Sequence, residues 1–310
     1  MIGKTRTLTP RQRLWLRYCS QRGSLSAISI LTFVSFLAIA APWLPLADPS
    51  EVATEKALAP PSLTIESGES VFPPICGRDA LGRDLFARII FGARISLLTA
   101  LAAAAVSLLI GVTWGAIAGF AGGAVDQTMM RTVDALTSLP FLFIVIFFIS
   151  VARGFTFLSG PSAQLIVFLV TLGSVYWLTM ARVVHGQVLS LKEREFVESA
   201  RALGARPSRV LFRHLVPQLT PTILVTLTLT IPKILLMEAF LSFLGLGIQA
   251  PQVSWGLLAR DAFEVLTPIH APWWLILFPS VAIVLTLGAL QWAGDALQSA
   301  WSSRSGTLGR

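Results

Sequence analysis

The sequence predicts an all-α polytopic membrane protein with six transmembrane helices, and three observations carry that prediction. Of the 310 residues 54% are hydrophobic and only 13% charged, with a mean hydropathy of +0.73, too apolar a balance for a water-soluble domain. Apolar runs close to the ~20 residues a helix needs to cross the hydrocarbon recur along the chain. Lys and Arg gather in the connections that fall on one side of those runs, the asymmetry that marks cytoplasmic loops. The same asymmetry accounts for the net charge of +8, so no nucleic-acid partner is expected.

Residues 1–26 carry Lys4, Arg6, Arg11, Arg13, Arg17 and Arg22 and no acidic residue, and read as a cytoplasmic N-terminal segment. A first span follows at 27–46. Its Ala38-Ile-Ala40 imitates a signal-peptidase site, but the apolar run continues through Trp43 and Leu46, so the segment reads as an anchor. Residues 47–93 are polar and proline-rich, as an external loop would be. Near its end Leu85, Phe86, Ile89 and Ile90 fall on one helical face with Arg88 opposite, which fits either an interfacial helix on the outer surface or the lead-in to the next span.

The second span, 95–119, is dense in Ala, Ser and Gly, residues that let helices approach closely in lipid. Gly122-Gly123 ends it, and Asp126, Arg131 and Asp134 mark a short cytoplasmic connection before Leu139-Pro140 opens a third span ending near residue 153. A fourth span runs over 162–181. The long polar segment 182–221 then carries Arg182, Lys192, Arg194, Arg201, Arg206, Arg209 and Arg213 against Glu193, Glu195 and Glu198, and so faces the cytoplasm. Two short helices are predicted inside it. Leu189, Phe196, Ala200 and Leu203 mark the apolar side of the first, Gly204 suits its left-handed C-terminus, and Pro207 suits the first turn of a second that must stop near Pro217.

The fifth span, 222–244, contains Lys233 and Glu238, ionisable groups that are costly in hydrocarbon unless paired or wetted. They are about 140° apart on a helix, a poor fit to i, i+4 pairing; a structural pair and a pathway-lining role both remain open. An external connection, 248–271, holds Arg260, Asp261 and Glu264. Ala271-Pro-Trp-Trp274 places aromatic rings where the sixth span enters the bilayer, and that span returns to a cytoplasmic tail at 301–310. Spans two to six and the polar segment make up a core at 94–300. Asp295 reads as a helix-end residue.

Three motifs then bring in a resemblance. Glu198-Ser199-Ala200, Gly204 and Pro217 resemble the "EAA" loop of the membrane subunits of bacterial ABC importers, with Ser199 for the usual central Ala and Val216 for the usual Leu. Gly77, Asp79, Gly82, Arg83 and Asp84 open a run to Leu97 that is similar to the G-T-D-x-x-G-R-D signature of the C-type permease in dipeptide, oligopeptide and nickel importers. There Arg78 replaces Thr and Ala87 replaces Ser. Glu238-Ala-Phe-Leu-Ser-Phe-Leu-Gly-Leu-Gly247 and Val253-Ser-Trp-Gly256 are similar to two further patterns of the same family, to which Lys233 does not belong.

The resemblance, which covers about 14–301, implies that residues 182–221 hold a coupling helix docking on an ATPase. It also implies a homologous second permease, two ABC ATPase subunits that bind ATP and Mg, and an external substrate-binding protein delivering peptides or a nickel complex. This chain itself would bind no cofactor and sit in the bacterial cytoplasmic membrane, with lipid around it and both termini inside. The rival class is a secondary transporter driven by an ion gradient, suggested by Lys233 and Glu238 and opposed by the lack of an evident inverted repeat.

Enzymatic chemistry finds no support. Gly3-Lys4-Thr5 lacks the upstream glycine and strand of a phosphate-binding loop, and His185, His214 and His270 are too scattered for a metal set. Cys19 and Cys76 fall on opposite sides of the predicted bilayer, so no disulfide is expected.

Overall fold

The computed structural model describes residues 16–21, 23–64, 73–155, 160–267 and 271–305; the basic residues before 16, Arg22, and the tail beyond 305 lie outside them. The described chain is helical, with one isolated antiparallel bridge between Arg78 and Asp84. Helix α1 (Ser24–Ala40) passes into a 3-10 turn (Ala41–Trp43), giving a first span of 20 residues.

Helix α2 (Leu85–Ala121) is a single rod of 37 residues. It starts where the Asp84 carboxylate accepts a hydrogen bond from Ala87 N at 2.8 Å, a side-chain cap that satisfies one of the free amides of the first turn. The run Leu85–Ile90 is therefore the lead-in to the second span rather than a separate helix lying on the surface. Arg88, expected on the wet side, is instead 1% exposed.

Helices α3 (Gly123–Ser138) and α4 (Phe141–Arg153) correct the third span. Thirteen residues rise only ~20 Å, short of a ~30 Å hydrocarbon core, so α4 does not cross alone. The two helices are apolar enough to cross only together, and they are bent by 92° at their junction. The bend has a local cause: Leu139 precedes Pro140, whose ring disfavours the helical conformation there, and it is extended at ψ 137°. The described fold thus has five helices long and apolar enough to span, and a bent pair as a sixth crossing.

Helix α5 (Pro161–Leu191) continues ten residues past the expected end of the fourth span. Its packing against α2 is the most extensive in the molecule. A stripe of glycines four apart on α2 makes this possible. A Cβ at Gly111 would stand 2.6 Å from Met180 Cβ, one at Gly115 2.3 Å from the Ala181 carbonyl oxygen, and one at Gly119 3.0 Å from Val188 Cβ. Gly173 on α5 returns the arrangement, with Val106 Cβ 2.5 Å from its missing side chain. Close backbone approach replaces the hydrophobic drive that lipid does not supply.

Helix α6 (Glu195–Ala202) follows, then a broken helical stretch made of Pro207–Arg209, a π-helical section Val210–Leu215 and Val216–Gln218. Helices α7 (Thr220–Phe243), α8 (Trp255–Glu264) and α9 (Trp273–Ser305) complete the chain. Two main apolar cores result. One joins α2, α4, α5, α7 and α8; the other lies at the opposite end, between the ends of α2 and α5 and the segment 196–227.

Candidate functional site

The polar segment is a packed unit with one free face. Val197, Val210 and Leu215 are fully buried and Leu211 nearly so, against Ala116, Met180, Val184 and Val188 of α2 and α5. Helix α6 ends in a Schellman motif: Gly204 N donates to the Arg201 carbonyl at 2.9 Å and Ala205 N to the Ala200 carbonyl at 3.1 Å. That closure needs the left-handed φ of +77° at Gly204, where no other atom lies within 4 Å of a built Cβ. The glycine is required by backbone conformation and not by crowding.

The expected apolar side of the first helix needs correction here. Leu189 belongs to α5, and Leu203 lies beyond α6 and is 89% exposed, so the two do not share one apolar face. Glu198 is exposed and forms no ion pair with Arg194 or Arg201 among the described residues; Arg201 instead stands over the Phe120 ring at 5.4 Å. The second helix does reach Pro217 but contains it, one residue before its end. The π-helical section lies just upstream, where a proline without an amide hydrogen would leave a regular helix one bond short.

What remains outward is chemically mixed. Ser199, Leu203 and Pro217 are exposed and Phe212 is half-exposed, and Arg206, Arg209 and Arg213 flank an open groove shared with Ser208, Phe212 and Pro217. None of these arginines has a carboxylate partner among the described residues. A half-exposed phenylalanine among arginines that have no carboxylate partner in the described residues is a surface suited to a partner with an acidic, partly apolar groove.

Contacts that periodicity did not reveal hold this unit to its neighbours. His185 Nε2 and Asp126 Oδ1 lie 2.7 Å apart, Arg182 Nη2 donates to Asp134 at 2.9 Å, and Lys192 Nζ donates to the Gly119 carbonyl at 3.0 Å. The last of these closes the C-terminus of α2, where a cation is favoured by the helix dipole. Asp126 and Asp134 are thus tied to α5 and do not simply solvate a connection.

At the other end of the bundle, the motif Gly77–Asp84 is a tight hairpin built around Asp79. This carboxylate is 3% exposed and accepts from Leu81 N and Arg83 N at 2.9 Å each, from Arg83 Nε at 2.7 Å, and from Arg88 Nη1. Asp261 of α8 completes the group, accepting from Arg88 Nη2 at 3.1 Å and lying 3.4 Å from Arg83 Nη2. Two arginines and two aspartates balance. Gly82, at φ +73°, backs onto the chain so closely that a Cβ would stand 1.8 Å from the Ala53 carbonyl oxygen; Gly77 meets Ala59 and Trp274 in the same way. Cys76 is enclosed beside them, and burial, aided by Asp84, pushes its thiol up to about 12.

Helix α8 seats on this corner. Ser254 caps it, Trp255 N donates to Ser96 Oγ at 3.2 Å, and Trp255 Nε1 donates to the Ile89 carbonyl at 3.0 Å. Glu238 lies just beneath, fully buried; Ser242 Oγ donates to its Oε1 at 2.9 Å, Ser96 and Ser254 stand around the same carboxyl group, and Oε2 has no bond of normal geometry. Lys233 does not join it. Its side chain is exposed while Glu238 is fully buried, so the two do not form the pair the sequence left open. Glu238 is part of the corner, and Lys233 is not.

With this geometry in hand, comparison with known proteins is specific. The sequence model for inner membrane components of binding-protein-dependent transport systems matches residues 111–304. A dipeptide transport system permease protein of Bacillus subtilis (strain 168) is 38% identical, the alignment covering 96% of this chain and 87% of the relative. An oligopeptide transport system permease protein of the same organism is 41% identical over 92% and 87%, and one of Escherichia coli (strain K12) 37% identical over 92% and 88%. Among solved structures, an inward-facing form of the MetNI methionine ABC transporter superposes with a TM-score of 0.55 over 70% of this chain and 97% of the other, at 19% identity, a likeness of fold.

Proposed function

The chain belongs to the family of inner membrane components of binding-protein-dependent transport systems, and from that premise we propose that it forms half of the pathway of an ATP-driven importer of di- or oligopeptides. Its partners in this reading are a homologous second permease, two ABC ATPase subunits that hold ATP and Mg, and an external substrate-binding protein. The peptide substrate is proposed from the relatives' names. Both termini and residues 182–217 face the cytoplasm, while 47–84 and the α8 corner face outside, as the Lys and Arg distribution favours. An ion-gradient carrier fits less well, since Lys233 and Glu238, its main support, stand apart.

One observation supports coupling above the others: α6 and the π-containing stretch present Leu203, Phe212 and three arginines without a carboxylate partner among the described residues outward, while a private apolar core ties them to α2 and α5. A push on that face is transmitted to two spanning helices without a flexible link. The test compares Gly204→Val and Glu198→Lys for membrane insertion, co-purification of the ATPases and donor-stimulated ATP hydrolysis in vesicles. Inserted variants that lose ATPase binding and uptake are expected. Full binding and full stimulated turnover in both would remove the coupling role from this segment.

A further inference from the structure

In the stretch Gly77–Leu97, the other charged side chains are engaged at the corner, and Arg94 faces elsewhere. It has no hydrogen bond or ion pair among the described residues, and its side chain is exposed beside a groove of about 720 Å³ between α1, α2, α7 and α9. The walls include Leu31, Ile39, Leu98 and Leu101, with Trp43 at the rim, 80% exposed, and no acidic residue lines it. The volume lies in the range of sites that enclose small ligands.

We propose that this groove is a binding site for one anionic glycerophospholipid of the leaflet on the side of the Gly77–Asp84 hairpin. Under the orientation proposed above this is the outer leaflet, and only that clause rests on the earlier reading. Depth supports it. Arg94 is nine residues into a helix of 37, about 13 Å from its start, and shares the groove with Trp43, the last residue of the first span. A tryptophan at a span's end marks headgroup level, and below it the aliphatic walls suit an acyl chain.

The chemistry selects the headgroup. An unpaired guanidinium on an apolar wall is costly, and a phosphodiester accepts its paired N–H donors while cancelling its charge. A zwitterionic lipid would bring a second cation, and the groove offers no carboxylate to receive it. A helix of the second permease would have to supply an acid at this depth, which makes it the competing occupant.

The test uses the full-length chain with the subunits that co-purify. The complex is exposed to an equimolar mixture of phosphatidylglycerol and phosphatidylcholine, and bound lipid is read by native mass spectrometry. Retention of one phosphatidylglycerol is expected, lowered about tenfold by Arg94→Gln and largely kept by Arg94→Lys. Leu98→Trp fills the groove from a side chain already 55% exposed, so it tests the site even where the charge variant fails to fold; the same loss is expected. Equal retention of the two lipids, or retention unchanged in Arg94→Gln and Leu98→Trp, overturns the proposal. So does a photocrosslink in native membranes from a photoreactive residue placed at position 98 to the second permease.

Discussion

Neutralising Asp79 puts the reading of the corner at most risk. Asp79→Asn keeps the shape but replaces an acceptor of four donors with a neutral amide, beside an Arg88 that is 1% exposed. Removing one partner of a buried pair typically costs 3–5 kcal/mol. Here Asp261 still accepts from Arg88 at 3.1 Å, but it is itself 29% exposed and shared with Arg83, so the loss should fall to about 2–3 kcal/mol. That is a factor of roughly 30–150 in the ratio of folded to unfolded chain. Equilibrium unfolding of the chain in mixed micelles reads it directly. Because the penalty comes from a stranded charge, Asp79→Leu with Arg88→Met should be more stable than the two single costs added together. A single variant within about 0.5 kcal/mol of wild type, or costs that simply add, would refute the argument.

Gly82→Ala should disorganise the hairpin, because a Cβ 1.8 Å from the Ala53 carbonyl cannot be housed; limited proteolysis within 47–84 of the variant checks it. Gly204→Ala has open space and a positive φ, so its cost should stay near 1 kcal/mol, measured as a small loss of thermal stability. Gly115→Leu forces α2 from α5 at a point where a Cβ is 2.3 Å from a carbonyl, and about 3 kcal/mol of destabilisation should appear in the same unfolding assay. Cys76, with its thiol raised to about 12, stays protonated well past neutrality and gains reactivity only as the pH approaches that value. At pH 8 its thiolate fraction is roughly one in ten thousand, so maleimide should label folded protein at Cys19 and reach Cys76 only after unfolding.

The spans were legible because hydropathy is a property of local runs, and the turn at Gly204 because a helix end leaves a local signature. Pairing across the chain was not. Arg88 looked solvent-facing beside four apolar neighbours, since its partners are nine residues back and 173 residues ahead. The bend before α4 was visible only as Pro140, which opens a helix as readily as it turns one. Leu203 fitted the apolar period of α6 but is its C-cap, one residue before the turn at Gly204, where the chain leaves the helix and the period no longer applies. The ties from Asp126 and Asp134 to α5 and from Gly119 to Lys192 at its C-terminus join residues 48 to 73 positions apart, beyond any window of helical spacing.

The glycine stripe on α2 also has a consequence for synthesis. Its complement on α5 is not complete until Leu191, about seventy residues after α2 ends. At ~5–20 residues per second, a nascent chain spends roughly 4–14 seconds with α2 in the bilayer and nothing to fill its furrow. During that interval the helix is a ready mate for any small-residue face nearby. Ribosomes stalled between residues 121 and 191 should therefore yield chains that crosslink through Gly111 and Gly115 to the insertion machinery or to one another, and release from it once α5 arrives.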